Sequence, residues 1–375
     1  MPHLHTRLAH AGCTPDPATG AVVAPLHMAT TYERAADGSY PHGYLYSRMD
    51  NPTRADFEET MADLEGGAIA QAFASGMAAA QALLQSLRPG DRVLLPDDLY
   101  YGVRKLVDEV FVDWGLRVDT VDMTDLDAVE AALAADATRL VWLETPSNPL
   151  LKITDLAAVA ECAHVAGAQV VVDGTWTTPV VQRPLDLGAD VVLHSATKYL
   201  GGHSDLLGGV LVFAEDTPVA ARVQTVQQTS GGVMDPFSAW LALRGLRTLR
   251  VRLETMMRTA HQLASWLDDH PRVTAVHYPG LPTHPGHAVA AGQMDGFGAM
   301  LSFEVAGTAA EALAVAARCT VFRRATSLGG TESLIEHRAS IEPDGSTTPA
   351  GLLRCSIGLE HPTDLQEDLS RALSN

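Results

Sequence analysis

One lysine stands out by its neighbours. In His194-Ser195-Ala196-Thr197-Lys198-Tyr199-Leu200-Gly201-Gly202-His203 it sits among hydroxyls and glycines, directly after the apolar run Val191-Val192-Leu193. An amine in a partly desolvated pocket has its neutral form favoured and can form a Schiff base with a carbonyl cofactor, while Ser195 and Thr197 can donate hydrogen bonds to a phosphate. The bland alternative is a surface lysine at a strand end. Upstream, Asp173 ends its own apolar run Val170-Val171-Val172, where a carboxylate without a partner suffers a desolvation penalty. A protonated pyridine nitrogen supplies the missing cation, and keeping that ring protonated is what makes pyridoxal phosphate an electron sink. A turn or helix-capping aspartate before Gly174 is the competing reading.

Two further stretches fit the same chemistry. Ala74-Ser75-Gly76-Met77 opens an Ala-rich helical run whose first amides can bind a phosphate, although a small-residue turn between strand and helix has the same composition. In Leu99-Tyr100-Tyr101-Gly102, an aromatic ring can stack on a planar cofactor and its phenol can act in proton transfer, or it can simply pack. His284-x-x-His287 and His3-x-His5 invite a metal reading. Pro285-Gly286 interrupts any helix between the first pair and no third ligand is suitably spaced, so ordinary surface histidines and no metal are expected. Cys13, Cys162, Cys319 and Cys355 form no C-x-x-C pair and are expected to remain reduced thiols.

The elements that must position these residues are visible as apolar runs. Between Ala68 and Leu211, the runs 91–96, 139–144, 169–173 and 190–195 read as buried parallel strands. Segments such as 155–166 between them carry apolar residues at helical spacing, which together predicts a doubly wound α/β domain with ligands past the carboxyl ends of its strands. After Gly232 one long helix-compatible stretch, 235–267, and a strand at 299–305 predict a second α+β unit. Turn formers and aromatics before residue 60 predict an extended arm. The expected division is an arm over 1–60, a cofactor domain over 61–245 and a C-terminal domain over 246–375, with a short loop at 343–349. A net charge of −19 repels nucleic acid and anionic membrane surfaces. Neither a signal segment nor a run of about 18 apolar residues is seen, so a cytoplasmic protein is expected.

Together these residues resemble the cystathionine synthase and lyase family, the pyridoxal-phosphate enzymes of trans-sulfuration and of cysteine and methionine metabolism. In order, the resemblance is carried by Tyr46-Ser47-Arg48, Asn51-Pro52-Thr53, Ala74-Ser75-Gly76-Met77, Leu99-Tyr100, Glu144-Thr145-Pro146-Ser147-Asn148-Pro149, Val172-Asp173, Ser195-Ala196-Thr197-Lys198-Tyr199, Ser327-Leu328-Gly329-Gly330 and Glu332-Ser333-Leu334. It implies an aspartate-aminotransferase-like (fold type I) domain with a mainly parallel sheet. It also implies Lys198 as the Schiff-base lysine, Asp173 at the pyridine nitrogen, Tyr100 over the ring, and Ser75, Gly76, Met77, Ser195 and Thr197 at the phosphate. Asn148 is implied beside both cofactor and substrate, with Arg354 and Ser327 receiving the substrate carboxylate. Tyr46 and Arg48 are implied to complete the phosphate site of a neighbouring subunit, within a homotetramer made of two site-sharing dimers.

Several positions depart from the family pattern. Gly174 follows Asp173 where an asparagine is common, which is expected to loosen the turn beside the ring. Tyr101 and Val103 alter the wall near the reacting carbons, and Gly102 replaces the cysteine of methionine-specific lyases. Leu45 and Thr326 stand where cystathionine-handling members carry acids, leaving room for a smaller or less charged leaving group. Lys105 can bring a positive charge to this region, but a solvated helix lysine is the expected reading. The resemblance implies γ-elimination from cystathionine or a related homocysteine-type amino acid, yielding a 2-oxo acid and ammonia. The alternatives are γ-replacement on an O-acylhomoserine, then a methionine γ-lyase, a β-lyase or a lyase for an unusual amino acid. An aminotransferase and a non-catalytic binding protein on the same fold are the readings from other classes.

Overall fold

Seven short strands build the larger sheet: β1 (Ile69–Phe73), β2 (Arg92–Pro96), β3 (Arg117–Val121), β4 (Leu140–Glu144), β5 (Gln169–Asp173), β6 (Val191–Ser195) and β7 (Gly209–Phe213). Their order is β1-β7-β6-β5-β4-β2-β3, and only β7 runs against its neighbours. These assignments come from a computed structural model that describes residues 2–342 and 348–374. Apart from its last two residues, the loop expected at 343–349 lies outside the described residues.

Strands β2, β4 and β7 are buried along their whole length, which is why they read as unbroken Val/Leu runs rather than as alternating patterns. Helices cover both faces. Leu83 and Leu84 of helix Gly76–Ser86 pack on one side, and Val129 and Val159 of helices Leu126–Ala135 and Leu156–Val165 pack on the other. Helix Leu156–Val165 starts where Asp155 accepts a hydrogen bond from the Ala158 amide, satisfying one of the donors that a helix start leaves open. The result is the α/β architecture with a mainly parallel sheet that the sequence predicts.

A second, mostly antiparallel sheet contains β8 (Val273–His277), β9 (Met300–Val305), β10 (Arg323–Arg324), β11 (Leu334–His337) and β12 (Leu352–Ser356), in the order β10-β11-β12-β9-β8. The two units are joined by the twenty-residue helix Leu249–Asp268. Its first turns place Leu249, Leu253 and Met256 in the core behind the large sheet, while Leu263 and Leu267 enter the core of the small sheet.

The expected single helix over 235–267 is two helices, Pro236–Leu246 and Leu249–Asp268. The chain leaves helical geometry at Thr248 (φ −115°, ψ 4°), just after Gly245 passes so close to the lysine turn that an added Cβ would lie 2.3 Å from the Leu200 carbonyl oxygen. The arm is also less extended than expected. It contains helix Leu4–Ala9, and helix Pro52–Glu65 begins inside it, because Asn51 caps the Thr53 and Arg54 amides and Pro52 supplies a pre-set first turn. Among the described residues, no helix is long and apolar enough to cross a membrane.

Candidate active site

The carboxyl ends of β2, β4, β5 and β6 point to one edge of the large sheet, and a cavity open to solvent lies there against the small unit. Its wall takes Tyr100 from beyond β2, Glu144 and Asn148 from β4 and the loop after it, Asp173 and Thr175 from the end of β5, and Ser195, Thr197 and Lys198 from the end of β6. Ser75, Gly76 and Met77 enter from the turn after β1, and Ser327, Arg338 and Arg354 from the small unit. Residues from Tyr100 to Lys198 thus meet because parallel strands finish on the same side, and the packing of the small unit adds those from Ser327 to Arg354.

Lys198 occupies a tight turn, its own amide bonded to the Ser195 carbonyl at 3.1 Å. Its Nζ donates to Ser327 Oγ at 2.6 Å. Burial, and then the charge of Arg354, pull the amine down to about 8, so a substantial neutral fraction exists near physiological pH. Ser327 is held at φ +88°, a left-handed conformation that costs a non-glycine residue about 1–3 kcal/mol. Two residues on, Gly329 packs on the lysine turn so tightly that an added Cβ would lie 2.6 Å from the Tyr199 amide nitrogen. Arg354, on β12 and 4% exposed, donates to Asn148 Oδ1 at 2.9 Å, to the Ser327 carbonyl at 3.3 Å and to Glu336 Oε2 at 2.8 Å.

At the other side of the cavity, Asp173 Oδ1 accepts from the Thr175 amide at 3.0 Å. Burial raises its carboxyl above the ordinary value, against the pull of the Thr175 hydrogen bonds. Glu144 is raised further, by burial and then by the neighbouring Asp173 charge, although its Oε2 accepts from the Tyr100 amide at 2.8 Å. Two buried carboxyls raised side by side suit a cationic ring nitrogen. Ser75 caps the helix that starts at Gly76 by accepting from the Ala78 amide, which leaves the Gly76 and Met77 amides without intrahelical acceptors. Their turn is pressed onto the ends of β6 and β7: a Cβ on Gly76 would lie 3.0 Å from Ser195 Cβ, and one on Gly209 would lie 2.3 Å from the Ser75 carbonyl oxygen. Ser195 Oγ makes no hydrogen bond among the described residues, and Thr197 Oγ1 accepts from the Gly208 amide at 3.1 Å. Open amides, a free hydroxyl, a buried carboxyl and a weakly basic lysine are the partners that pyridoxal phosphate needs, and the residues fit it.

The family model for the Cys/Met metabolism PLP-dependent enzymes matches residues 5–374. The chain belongs to that family. Cystathionine gamma-synthase of Mycobacterium tuberculosis (strain ATCC 25618 / H37Rv) is 47% identical over 374 residues, covering 98% of this chain and 96% of that protein. Cystathionine beta-lyase of Coxiella burnetii (strain RSA 493 / Nine Mile phase I) is 46% identical, with 99% and 98% covered. CalE6 of Micromonospora echinospora, described both as a cystathionine gamma lyase and as a methionine gamma lyase, superposes with a TM-score of 0.95 at 44% identity over 100% of both chains. This Cys/Met metabolism enzyme therefore depends on pyridoxal phosphate, and relatives with different reactions resemble it to nearly the same degree.

Of the residues given a catalytic, cofactor or substrate role in the sequence, all but Tyr46 and Arg48 line this cavity. Those two sit on the arm, with the Arg48 guanidinium 5.6 Å from the Tyr46 ring centroid and bonded to the Gln228 carbonyl. Thr326 lines the cavity, whereas Leu45 and Tyr101 do not. Lys105 is half exposed and paired with Glu109, 3.8 Å away. The turn at Gly174 is not loose: its carbonyl accepts from the Thr177 and Thr178 amides, and a Cβ would meet Cε1 of the buried His194 at 2.9 Å, so a glycine is what fits there. Nor is His284 a surface residue. It is 9% exposed, its Nδ1 accepts from the Gly286 amide, and burial lowers its ring to about 4. Among the described residues, no group of three His, Cys, Asp or Glu could hold a metal.

Sequence reasoning overlooked Glu336 and Arg338, which stand two residues apart at the end of β11, and gave Glu144 no role beyond its motif. A charged pair inside an otherwise apolar run, Leu334-Ile335-Glu336-His337-Arg338, is the signal that was available.

Proposed function

We propose that the enzyme catalyses γ-elimination from cystathionine or a related homocysteine-type amino acid, releasing a thiol, a 2-oxo acid and ammonia. The observation that carries this reading is the meeting of an amine and a carboxylate anchor at one residue: Ser327 accepts from Lys198 Nζ through its hydroxyl and from Arg354 through its carbonyl. An α-amino acid held by its carboxylate at Arg354 and Asn148 thereby presents its Cα proton near the lysine.

When bound, pyridoxal phosphate supplies an electron sink that stabilises negative charge developing on the substrate's carbon atoms. The Gly76 and Met77 amides with Ser75, Ser195 and Thr197 would hold its phosphate, Asp173 its ring nitrogen, and Tyr100 its face. Lys198 Nζ, lowered towards neutrality by burial, would take the Cα proton, hand it on to the carbon framework of the bound cofactor and so become free to take a Cβ proton, which it can pass to the group departing from Cγ. Ser327 Oγ steers the amine between these tasks. Thr326 and Trp176 bring no charge to the cavity wall, which favours, within this class, homocysteine-type amino acids with a smaller or less charged γ substituent than that of cystathionine. Tyr46 and Arg48, outside their own chain's cavity, reach the phosphate of a second copy in a tetramer of two site-sharing dimers, and the protein works in the cytoplasm.

A second reading is γ-replacement, in which a thiol adds at Cγ of an O-acylhomoserine. It is favoured by the 47% identity to a cystathionine gamma-synthase. The test is to supply the pyridoxal-phosphate-loaded enzyme with cystathionine, methionine, homocysteine or an O-acylhomoserine, with and without cysteine, and to measure keto acid and cystathionine. 2-Oxobutanoate from cystathionine without added thiol supports elimination. Cystathionine formed from the acylhomoserine and cysteine, without keto acid, would replace it with the second reading.

A further inference from the structure

Arg354 is not alone in the wall of the cavity. Arg338, the first residue of the short turn Arg338–Ser340 after β11, also lines it and is only 3% exposed. Its Nη1 donates to Glu336 Oε2 at 2.9 Å, the same carboxylate oxygen that accepts from Arg354 Nη2 at 2.8 Å. Its Nη2 donates to Glu342, whose side chain is 10% exposed. Nε has no partner. The arrangement is a chain of alternating charge, Glu342, Arg338, Glu336, Arg354, running from the outer edge of the small unit into the cavity.

The order of charges has a consequence for a substrate carboxylate. Without Arg338, Glu336 would be a buried anion with Arg354 as its only cation, and it would compete with an incoming carboxylate for that guanidinium. Arg338 shares the very oxygen that contacts Arg354, so it draws part of the Glu336 charge away and leaves Arg354 more strongly positive towards the cavity. The like charge of Arg338 acts on Arg354 directly: together with burial, which is the larger cause, it lowers that guanidinium to about 10. Glu342 works in the opposite sense, by neutralising Arg338.

We propose that Arg338 is a positioning residue for substrate binding, and that the Glu342–Arg338–Glu336 relay sets how strongly Arg354 attracts the α-carboxylate of the amino acid. This rests on the reading of Arg354 as the carboxylate anchor. Arg338 does not bond the substrate. It keeps Glu336 from capturing Arg354, so its effect falls first on affinity and reaches the Lys198 amine only through the charges of Glu336 and Arg354.

The relay predicts effects of opposite sign, which a structural role does not. Arg338→Met, Glu342→Gln, the double variant and Arg354→Ala are compared in the pyridoxal-phosphate-loaded enzyme, with thermal melting as the check on folding. Glycine, which carries the carboxylate and no γ group, is the calorimetric probe, and KM and kcat are measured with the best substrate found. Arg338→Met should weaken glycine binding and raise KM at least about tenfold, the effect of losing one charge-assisted contact, with kcat within about twofold. Glu342→Gln should tighten glycine binding by about threefold or more, and the double variant should return to within about threefold of the parent. Weakening by Glu342→Gln, or a fall in kcat with unchanged KM in Arg338→Met, would overturn the relay. If Arg338→Met does not fold, the sign of the Glu342→Gln effect decides alone. Should Arg354→Ala leave glycine binding unchanged, the anchor reading itself fails, and that outcome is distinct from failure of the relay.

Discussion

Gly209 offers the sharpest test of how the phosphate cradle is made. It lies at the start of β7, paired with Ser195, and a Cβ added to it would sit 2.3 Å from the Ser75 carbonyl oxygen and 2.7 Å from Gly76 Cα. Both obstacles are backbone, so relief requires the Ser75-Gly76 turn to retreat by about 1 Å to reach an ordinary carbon–oxygen contact of about 3.3–3.6 Å. That shift is enough to stretch a hydrogen bond of about 2.9 Å beyond its working range. Two amides, Gly76 and Met77, are at stake, and a hydrogen bond to a charged group contributes about 1.5–3 kcal/mol. Gly209→Ala should therefore weaken pyridoxal phosphate binding by about 3–6 kcal/mol, a hundredfold to ten-thousandfold. Overpacking should cost about 1–3 kcal/mol of stability besides. The assay is an absorbance titration of cofactor-free protein with pyridoxal phosphate, beside a urea melt. Gly67→Ala is the control: its Cβ would meet Val212 Cγ1 at 2.5 Å and the Phe213 carbonyl at 2.7 Å, against the opposite end of β7 about 14 Å away. It should lose similar stability and keep its cofactor affinity. Equal affinity in both variants would refute the idea that these glycines shape the cradle.

Other expectations follow from the same site. Lys198→Ala should keep the fold and lose turnover by at least about a thousandfold, in line with removal of a proton-transferring nucleophile, measured by keto-acid release. In cofactor-free protein the Lys198 amine, lowered to about 8, must lose its proton before it reacts, so the rate of pyridoxal phosphate uptake should climb with pH through about 8; a midpoint near the ordinary lysine value would contradict its burial. Arg354→Ala should weaken amino-acid binding by about 10²–10³-fold while cofactor affinity stays within about threefold, tested by the two titrations in parallel. Arg48→Ala subunits mixed with Lys198→Ala subunits should regain up to about a quarter of parental activity if each site draws on two chains, by the statistics of random pairing of subunits; no recovery after verified subunit exchange would remove the shared site.

How much of this was legible depended on where a residue stood. Lys198, Asp173 and the Ser75–Met77 turn could be read from position alone, because a polar residue ending an apolar run in an α/β protein lies at the sheet edge where ligands bind. Arg354 could not. It sits inside the buried run Leu352-Leu353-Arg354-Cys355, and its partner Asn148 is 206 residues away, a pairing that only the packing of the small unit on the large one creates. The resemblance supplied it where periodicity could not. Arg338 and Glu336 escaped both routes: the pair is local in the sequence, but its link to Arg354 is a tertiary fact. The break at Thr248 was hidden because its cause, the close approach of Gly245 to the Leu200 carbonyl, involves a turn distant in sequence.

The helix Leu249–Asp268, about 30 Å long, has mechanical consequences. Near its start, Arg252 donates to the Tyr199 and Gly245 carbonyls, gripping the turn that carries Lys198, while its far half is embedded in the small-sheet core with Leu263 and Leu267. Such a rod ties the two units together. A rocking of the small sheet that moved Ser327 and Arg354 would be felt at the lysine turn through Arg252. The jaw opposite Ser327 and Arg354, made of Asp173, the lysine turn and the glycine-lined turn, belongs to the large sheet. An opening of the cleft would then separate the grip on the amino acid from the grip on the cofactor, letting product leave while the cofactor stays behind.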